Sequence, residues 1–405
     1  MGPPVAESRR TRHPLLVALG LSTGPLVAVG LARFAYSLLL PVMRSDLHWT
    51  LAQAGAMNTA NALGYLAGAL GAGPLLTRAG SRRPFLLGAV VTALALLTTA
   101  ATGNFVLLLA LRLVAGVTGA LVFIAGGALV SALIAGTHSG RSTAILGSYF
   151  AGPGAGIVVS ALVVPPVAGL GGGASWRWGW VVLGGTSLVI TLLVSVPACL
   201  RSAEAPLTEE RGAATTWPVG GLVPIMISYL LFGAGYIAYI TFIVAYLESE
   251  GLSRPAVTAF WAVLGAAAVA APLAWGPLLA RLRAGTGPAA VLGATTVGAA
   301  IPLLFRSPAG DFASAILFGG AFLTVVTATT NLARRWLRAV QVAPAIAVMT
   351  VFFGAGQSVG PVLAGVLSEG PRGFRTGLEL SVALLAAGAA AALFQRPLPG
   401  VARRG

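Results

Sequence analysis

The chain has 405 residues, of which 57% are hydrophobic and only 9% charged, where an ordinary globular protein carries roughly 25% charged. So few charges cannot cover a soluble surface of this size, which leaves a membrane protein. The basic excess, 25 against 10 acidic residues for a net of +15, is entirely Arg, and a chain without Lys has no P-loop and no ATP motor of its own.

An apolar helix needs about 20 residues to cross the hydrocarbon of a bilayer. A basic tail (1–13) leads into a first span near 14–43, which contains Arg33 and Tyr36. That span is too long for the apolar core of a signal peptide and is followed by many others, so it reads as a true span. The second, near 51–76, carries Asn58, Asn61 and Tyr65 and runs into the charged turn TRAGSRRP. Spans near 84–103, 105–134 (with Arg112), 143–166 (with Gly152 and Pro153) and 178–198 follow. The polar interval 199–218, with Glu204, Glu209, Glu210 and Arg211, reads as a linker. Beyond it lie spans near 219–247 (with Tyr236 and Tyr239), 255–279, 288–305, 312–333, 341–367 (with Gln357, Gly360 and Pro361) and 376–395, then a tail, 396–405. The predicted fold class is an all-α polytopic membrane protein. Twelve transmembrane helices form two six-helix bundles, 14–198 and 219–395, joined by a cytoplasmic linker.

The arginines orient it. With the N-terminal tail inside and the spans alternating, 17 arginines fall on the cytoplasmic side and 6 outside. That bias predicts a multi-pass protein of the cell (inner) membrane with both termini cytoplasmic. The same bias accounts for the basic excess without a nucleic-acid partner.

Halving the chain exposes a repeat. GPLLTR, from Gly73 to Arg78, recurs 203 positions later as GPLLAR, from Gly276 to Arg281. Gly152-Pro153 is echoed by Gly360-Pro361 in the corresponding span of the second half. A six-plus-six parallel repeat places a substrate path between the halves near the bilayer midplane.

These residues resemble the major facilitator superfamily over the whole chain. GPLLTRAGSRR, from Gly73 to Arg83, is similar to that superfamily's loop motif G-x-L-A-D-R-x-G-R-K, matching at Gly73, Leu75, Arg78, Gly80 and Arg82. The motif's aspartate is Thr77 here, so the cytoplasmic latch that the acid serves in the superfamily must be built differently. Arg112 and Gly116 resemble its fourth-helix Arg motif, and Gly152 to Gly156 its antiporter-associated G-P-x-x-G motif. GLARFAYSLLLPVM, from Gly30 to Met43, looks like the YbfB/YjiJ branch. The resemblance implies a non-enzymatic secondary transporter, with Arg78, Gly80, Arg82, Gly152, Pro153, Gly360 and Pro361 in gating roles.

Arg33 lies about ten residues inside its span, roughly 15 Å deep. An Arg at mid-bilayer costs ~2.5–3.5 kcal/mol on insertion scales, so it faces a partner or a cavity. Arg112 is nearly as deep. Both have a structural alternative, an Arg hydrogen-bonded to neighbouring carbonyls. The acids Asp46, Glu248, Glu250, Asp311, Glu369 and Glu379 fall near outer helix ends, and Glu7, Glu204, Glu209 and Glu210 on the cytoplasmic side. Neither buried cation has a counter-ion at its own depth. At an effective dielectric near 20, an anion ~4 Å away would contribute about 4 kcal/mol of Coulomb attraction, and a carboxylate suits the guanidinium fork. Tyr36 is placed one turn from Arg33 on the same face, Asn58 and Asn61 reach the same level, and Tyr236 and Tyr239 stand 203 positions after Arg33 and Tyr36. With Gln357 these are the candidate substrate ligands, although Asn and Tyr also bridge helices.

The expected function is a secondary active transporter for a small organic anion, working by alternating access as a monomer in the lipid bilayer. A proton or a counter-anion is the coupling partner. The alternative is proton-linked drug or metabolite efflux. An intramembrane enzyme would want a His, Asp, Glu or Cys cluster at one depth, and none is visible. With one Cys and three His, no metal or cofactor is expected.

Overall fold

A computed structural model of the chain describes residues 13–135, 139–167, 172–202, 204 and 219–396. Both predicted tails, apart from His13 and Arg396, and most of the linker lie outside these. The described residues are helices joined by short turns, with no strand among them. The rods are α1 (Pro14–Asp46), α2 (Leu51–Ala79), α3 (Arg82–Thr99), α4 (Phe105–Ile134), α5 (Ser139–Phe150 and Gly152–Val163) and α6 (Ser175–Arg201). They continue as α7 (Val219–Ser249), α8 (Arg254–Arg281), α9 (Thr286–Leu304), α10 (Pro308–Trp336), α11 (Ala339–Ser368) and α12 (Phe374–Leu393). Most run a few residues past the spans expected from hydropathy, because local caps rather than apolarity fix their ends. Thr50 Oγ1 accepts from Gln53 N at 3.1 Å while Gln53 Oε1 accepts from Thr50 N at 2.9 Å, a closed capping box for α2. Asn104 Oδ1 caps α4 through Leu107 N at 3.0 Å, and Ser307 Oγ caps α10 through Gly310 N at 3.2 Å.

Eleven rods are long and apolar enough to cross a membrane. The exception is α2, whose Gln53, Asn58, Thr59, Asn61 and Tyr65 lower its hydropathy. Twelve spans read by length thus become eleven by composition, and the one that falls short carries Asn58, Asn61 and Tyr65.

Small residues set the helix crossings. A Cβ on Gly64 would lie 2.1 Å from the Leu113 carbonyl oxygen, and one on Gly116 2.1 Å from that of Asn61, so α2 and α4 touch backbone to backbone. The same holds where α5 meets α1, at Gly152 and Gly156, and where α11 meets α7, at Gly356 and Gly360. Gly-Pro at 152–153 and 360–361 therefore occupies equivalent crossings, as the repeat implies.

The two sequence halves meet along α2–α11, α5–α8 and α1–α7. Call proximal the end where α1 begins and α12 finishes, and distal the opposite end. The polar ties between halves are distal or central. Ala52 N donates to Glu369 Oε1 at 3.2 Å, Thr59 Oγ1 to the Ser358 carbonyl at 2.7 Å, and Trp261 Nε1 to Ser160 Oγ at 3.0 Å. Ser37 Oγ donates to the Ile240 carbonyl, and these two positions are themselves 203 residues apart. Farther along α2 toward the proximal end, Leu70 and Leu75 are exposed.

Candidate functional site

The centre of α1 departs from α-helical geometry. Leu26–Phe34 is a π-helical stretch, closed by Ala35 N donating to the Gly30 carbonyl at 3.0 Å. Such stretches are rare and concentrate at functional sites. Arg33 sits on it and is only 4% exposed. Its Nε and Nη2 are fully buried and make no hydrogen bond. Its guanidinium carbon stands 5.7 Å from the centre of the Tyr65 ring on α2, a cation–π contact that offsets part of the desolvation. Tyr65 and Tyr236, from the two halves, both fall within the electrostatic reach of Arg33.

Arg112, on α4, is buried just as deeply but is engaged. Its Nε donates to the Met57 carbonyl at 3.4 Å, its Nη1 to the Ala32 carbonyl, and its Nη2 to Asn58 Oδ1 at 3.0 Å. Its guanidinium also lies 5.2 Å from the Tyr36 ring and 5.6 Å from the Trp180 ring. It pins α4 to both α1 and α2. Asn58 passes the tie across the molecule, donating from Nδ2 to Thr241 Oγ1 on α7 at 2.7 Å. Asn61 Nδ2 donates to the Arg112 carbonyl at 3.2 Å, and the Tyr36 hydroxyl to the Ala54 carbonyl at 2.8 Å. Asn58, Asn61 and Tyr36 thus form one protein-internal network around Arg112, and Arg33 stands outside it.

Tyr36 was expected to share a face with Arg33. In the structure Tyr36 meets Arg112, Trp180 and the Ala54 carbonyl of α2, while Arg33, on the π turn before it, meets Tyr65, also of α2. Across the repeat, Tyr239 corresponds to Tyr36, and its hydroxyl shares a 2.6 Å hydrogen bond with Ser314 Oγ on α10 while its ring stacks on Phe318 at 4.0 Å. In the 203-residue register the second half has Ala315 where the first has Arg112, with Ser314 beside it, and Tyr236 where the first has Arg33. Among the described residues the buried cations, Arg33 and Arg112, both belong to the first half.

Gln357 Nε2 donates to the Tyr236 hydroxyl, and Gln357 Oε1 is buried without a partner. Around them the rings of Tyr229, Phe232, Tyr236 and Phe353 lie nearly parallel. Tyr229 and Phe353 are 4.6 Å apart at 13°, Phe232 and Tyr236 4.8 Å at 21°, and Tyr236 and Phe353 5.8 Å at 7°. Phe322 joins the group, 6.0 Å from Tyr236 and 5.8 Å from Phe34 of the other half. Phe322 and Phe353 read in the sequence as ordinary apolar positions; only their phase relative to Tyr236 could have flagged them.

The acids of the described residues stay at rod ends. Glu379 pairs with Arg372 at 3.0 Å and with Arg375 at 3.1 Å, and Glu250 with Arg306 at 3.4 Å. At the proximal α2–α3 turn, Thr77 turns its hydroxyl back onto the Pro74 carbonyl at 2.9 Å. A carboxylate reaches the turn nonetheless. Glu204, just after α6, accepts from Arg82 N at 2.7 Å, at the N-terminus of α3, and lies over Gly80, which holds φ +72°. The Arg82 Nη2 closes the loop onto the Ser202 carbonyl. Arg78 is exposed.

The family model described as "Uncharacterised MFS-type transporter YbfB" matches residues 25–393. A probable sulfoacetate transporter, SauU, from Cupriavidus necator is 27% identical, the alignment covering 96% of this chain and 95% of that protein. Among solved structures, a bacterial homologue of the human lysosomal transporter Spinster, inward-facing and occupied, superposes with a TM-score of 0.72 at 17% identity, covering 96% of this chain and 97% of that one. The nucleoside transporter NupG superposes with a TM-score of 0.68 at 14% identity, over 93% and 98%.

Proposed function

The chain belongs to the YbfB family of MFS-type transporters, and on that premise we propose that it is a secondary carrier of a small organic anion whose charged group binds Arg33. The observation that carries this reading is a guanidinium 4% exposed with two nitrogens buried and unpartnered. Leaving a charged donor unsatisfied costs several kcal/mol, and an anion arriving on Nε and Nη2 would remove that cost through a two-point fork. The relative from Cupriavidus necator, a probable sulfoacetate transporter, supports the same class of solute. Arg112, Asn58, Asn61 and Tyr36 act as positioning residues, and Tyr236 and Gln357 form the opposite wall.

The chain spans the cell membrane twelve times as two six-helix bundles, α2 being the polar member that faces the path. The distal ties between halves support a form closed at that end and reached from the proximal side, with transport by alternating access. Both termini are cytoplasmic. Reporter fusions at either terminus should give a cytoplasmic signal, and a periplasmic signal from one would overturn the orientation.

The Glu204–Gly80–Arg82 cluster is the proximal latch, with Glu204 supplying the carboxylate that position 77 lacks. Arg82→Gln should slow exchange between states several-fold while equilibrium binding stays within a few-fold. Loss of binding with normal exchange would remove the latch role. Gly152, Pro153, Gly360 and Pro361 act in gating through the close α1–α5 and α7–α11 crossings.

Melting of the purified protein against carboxylates, sulfonates, amines and neutral sugars of matched size tests the main reading. Stabilisation by anions alone, followed by uptake of the stabilising anion into proteoliposomes under imposed pH and anion gradients, is the expected result. The gradient that drives uptake identifies the coupling partner, proton or counter-anion. Stabilisation by amines alone would favour proton-linked efflux, the reading toward which the G-P-x-x-G segment of α5 points.

A further inference from the structure

We propose that the preferred substrate is an anion with a planar aromatic body, its charged group on Arg33 and its ring against the Tyr236–Phe353 stack. This rests on the reading of Arg33 as the anion site and goes beyond it to the rest of the molecule carried.

The polar groups of the first half are spent on one another. Arg112, Asn58, Asn61 and Tyr36 all have protein partners, so that half offers a ligand one free charged group and little else. Directly across the repeat, Tyr236 stands where a second cation would be, and Ala315 where a second Arg112 would be. The facing wall is therefore aromatic. Tyr229, Phe232 and Tyr236 are 4% exposed or less, whereas Phe353 is only half-buried. Its plane lies within 14° of all three of those rings.

The accessible part of a half-buried ring in an aligned stack is a surface that another flat ring extends. Offset stacking at 4.5–7 Å between centroids adds to what area burial alone provides. A saturated ring of equal carbon count covers similar area but cannot lie flat at that spacing. On the first half the Tyr65 ring lies 5.7 Å from the Arg33 guanidinium, so the one free charge already has an aromatic neighbour.

The test compares binding of benzoate, cyclohexanecarboxylate, acetate and sulfoacetate to the full chain in detergent, by competition against one radiolabelled anion. Benzoate should bind about five- to tenfold more tightly than cyclohexanecarboxylate and more tightly still than acetate. Phe353→Leu should erase the preference for benzoate over cyclohexanecarboxylate while acetate binding stays within about twofold. Phe353→Trp, which keeps a flat ring, should preserve the preference and guards against a Leu variant that fails to fold. If cyclohexanecarboxylate or sulfoacetate binds as well as benzoate, the aromatic assignment falls while Arg33 keeps its anion. If none of the four binds and Arg33→Ala changes nothing, the anion reading falls with it.

Discussion

Arg33→Ala abolishes transport and leaves the protein folded, with a melting temperature equal to or above that of the wild type. The expectation follows from what the side chain lacks. Its Nε and Nη2 have no protein acceptor, so truncation breaks no hydrogen bond and removes a desolvated charge. An uncompensated buried charge stabilises nothing by being there. For the bound anion the loss is large. Hydrogen bonds to charged groups contribute about 1.5–3 kcal/mol each, so losing a fork of two weakens binding by about 100-fold or more. Arg33→Lys restores the charge as a point without the fork and should recover only part of the affinity. Uptake into proteoliposomes, read beside thermal melts of both variants, decides it. Normal transport by Arg33→Ala would end the electropositive-site reading.

Arg112→Ala should do the reverse, lowering stability by about 3 kcal/mol before any effect on the ligand is considered. Truncation leaves Asn58 Oδ1 without its donor, removes the ties to the Met57 and Ala32 carbonyls, and opens a void beside Tyr36 and Trp180. It also frees the Asn58 amide that reaches Thr241, so the two halves lose a shared contact. Two arginines at similar depth in one half thus separate by assay, one through binding and one through melting. An Arg112→Ala protein that melts like the wild type would show the network to be dispensable.

Length and apolarity made the rods legible, because the bilayer imposes both on any helix that crosses it. The 203-residue repeat was legible from GPLL and Gly-Pro alone, and the close approaches at Gly152, Gly156, Gly356 and Gly360 follow it. The burial of Arg33 could be read from its distance to the nearest polar turn. The partners of Tyr36 could not, since a uniform helical period gives no warning of the π stretch before it or of its contacts with Arg112 and Trp180. Asn58 and Asn61 gave the right level and no partner. Only the fold shows that one reaches Thr241 and the other the Arg112 carbonyl. Glu204 lay in a segment without pattern, and nothing local ties it to a turn 122 residues earlier.

Ser37 and the carbonyl of Ile240 are the same place in the repeat counted twice, and they touch. Two copies of one position can meet only where the operation that interchanges the copies leaves space unmoved. That contact therefore lies beside the axis that exchanges the two halves, while the bond from Ala52 to Glu369 joins positions that are not copies of each other. A mirror of one sequence against itself is rarely visible as a bond, and in this chain one serine hydroxyl makes it so.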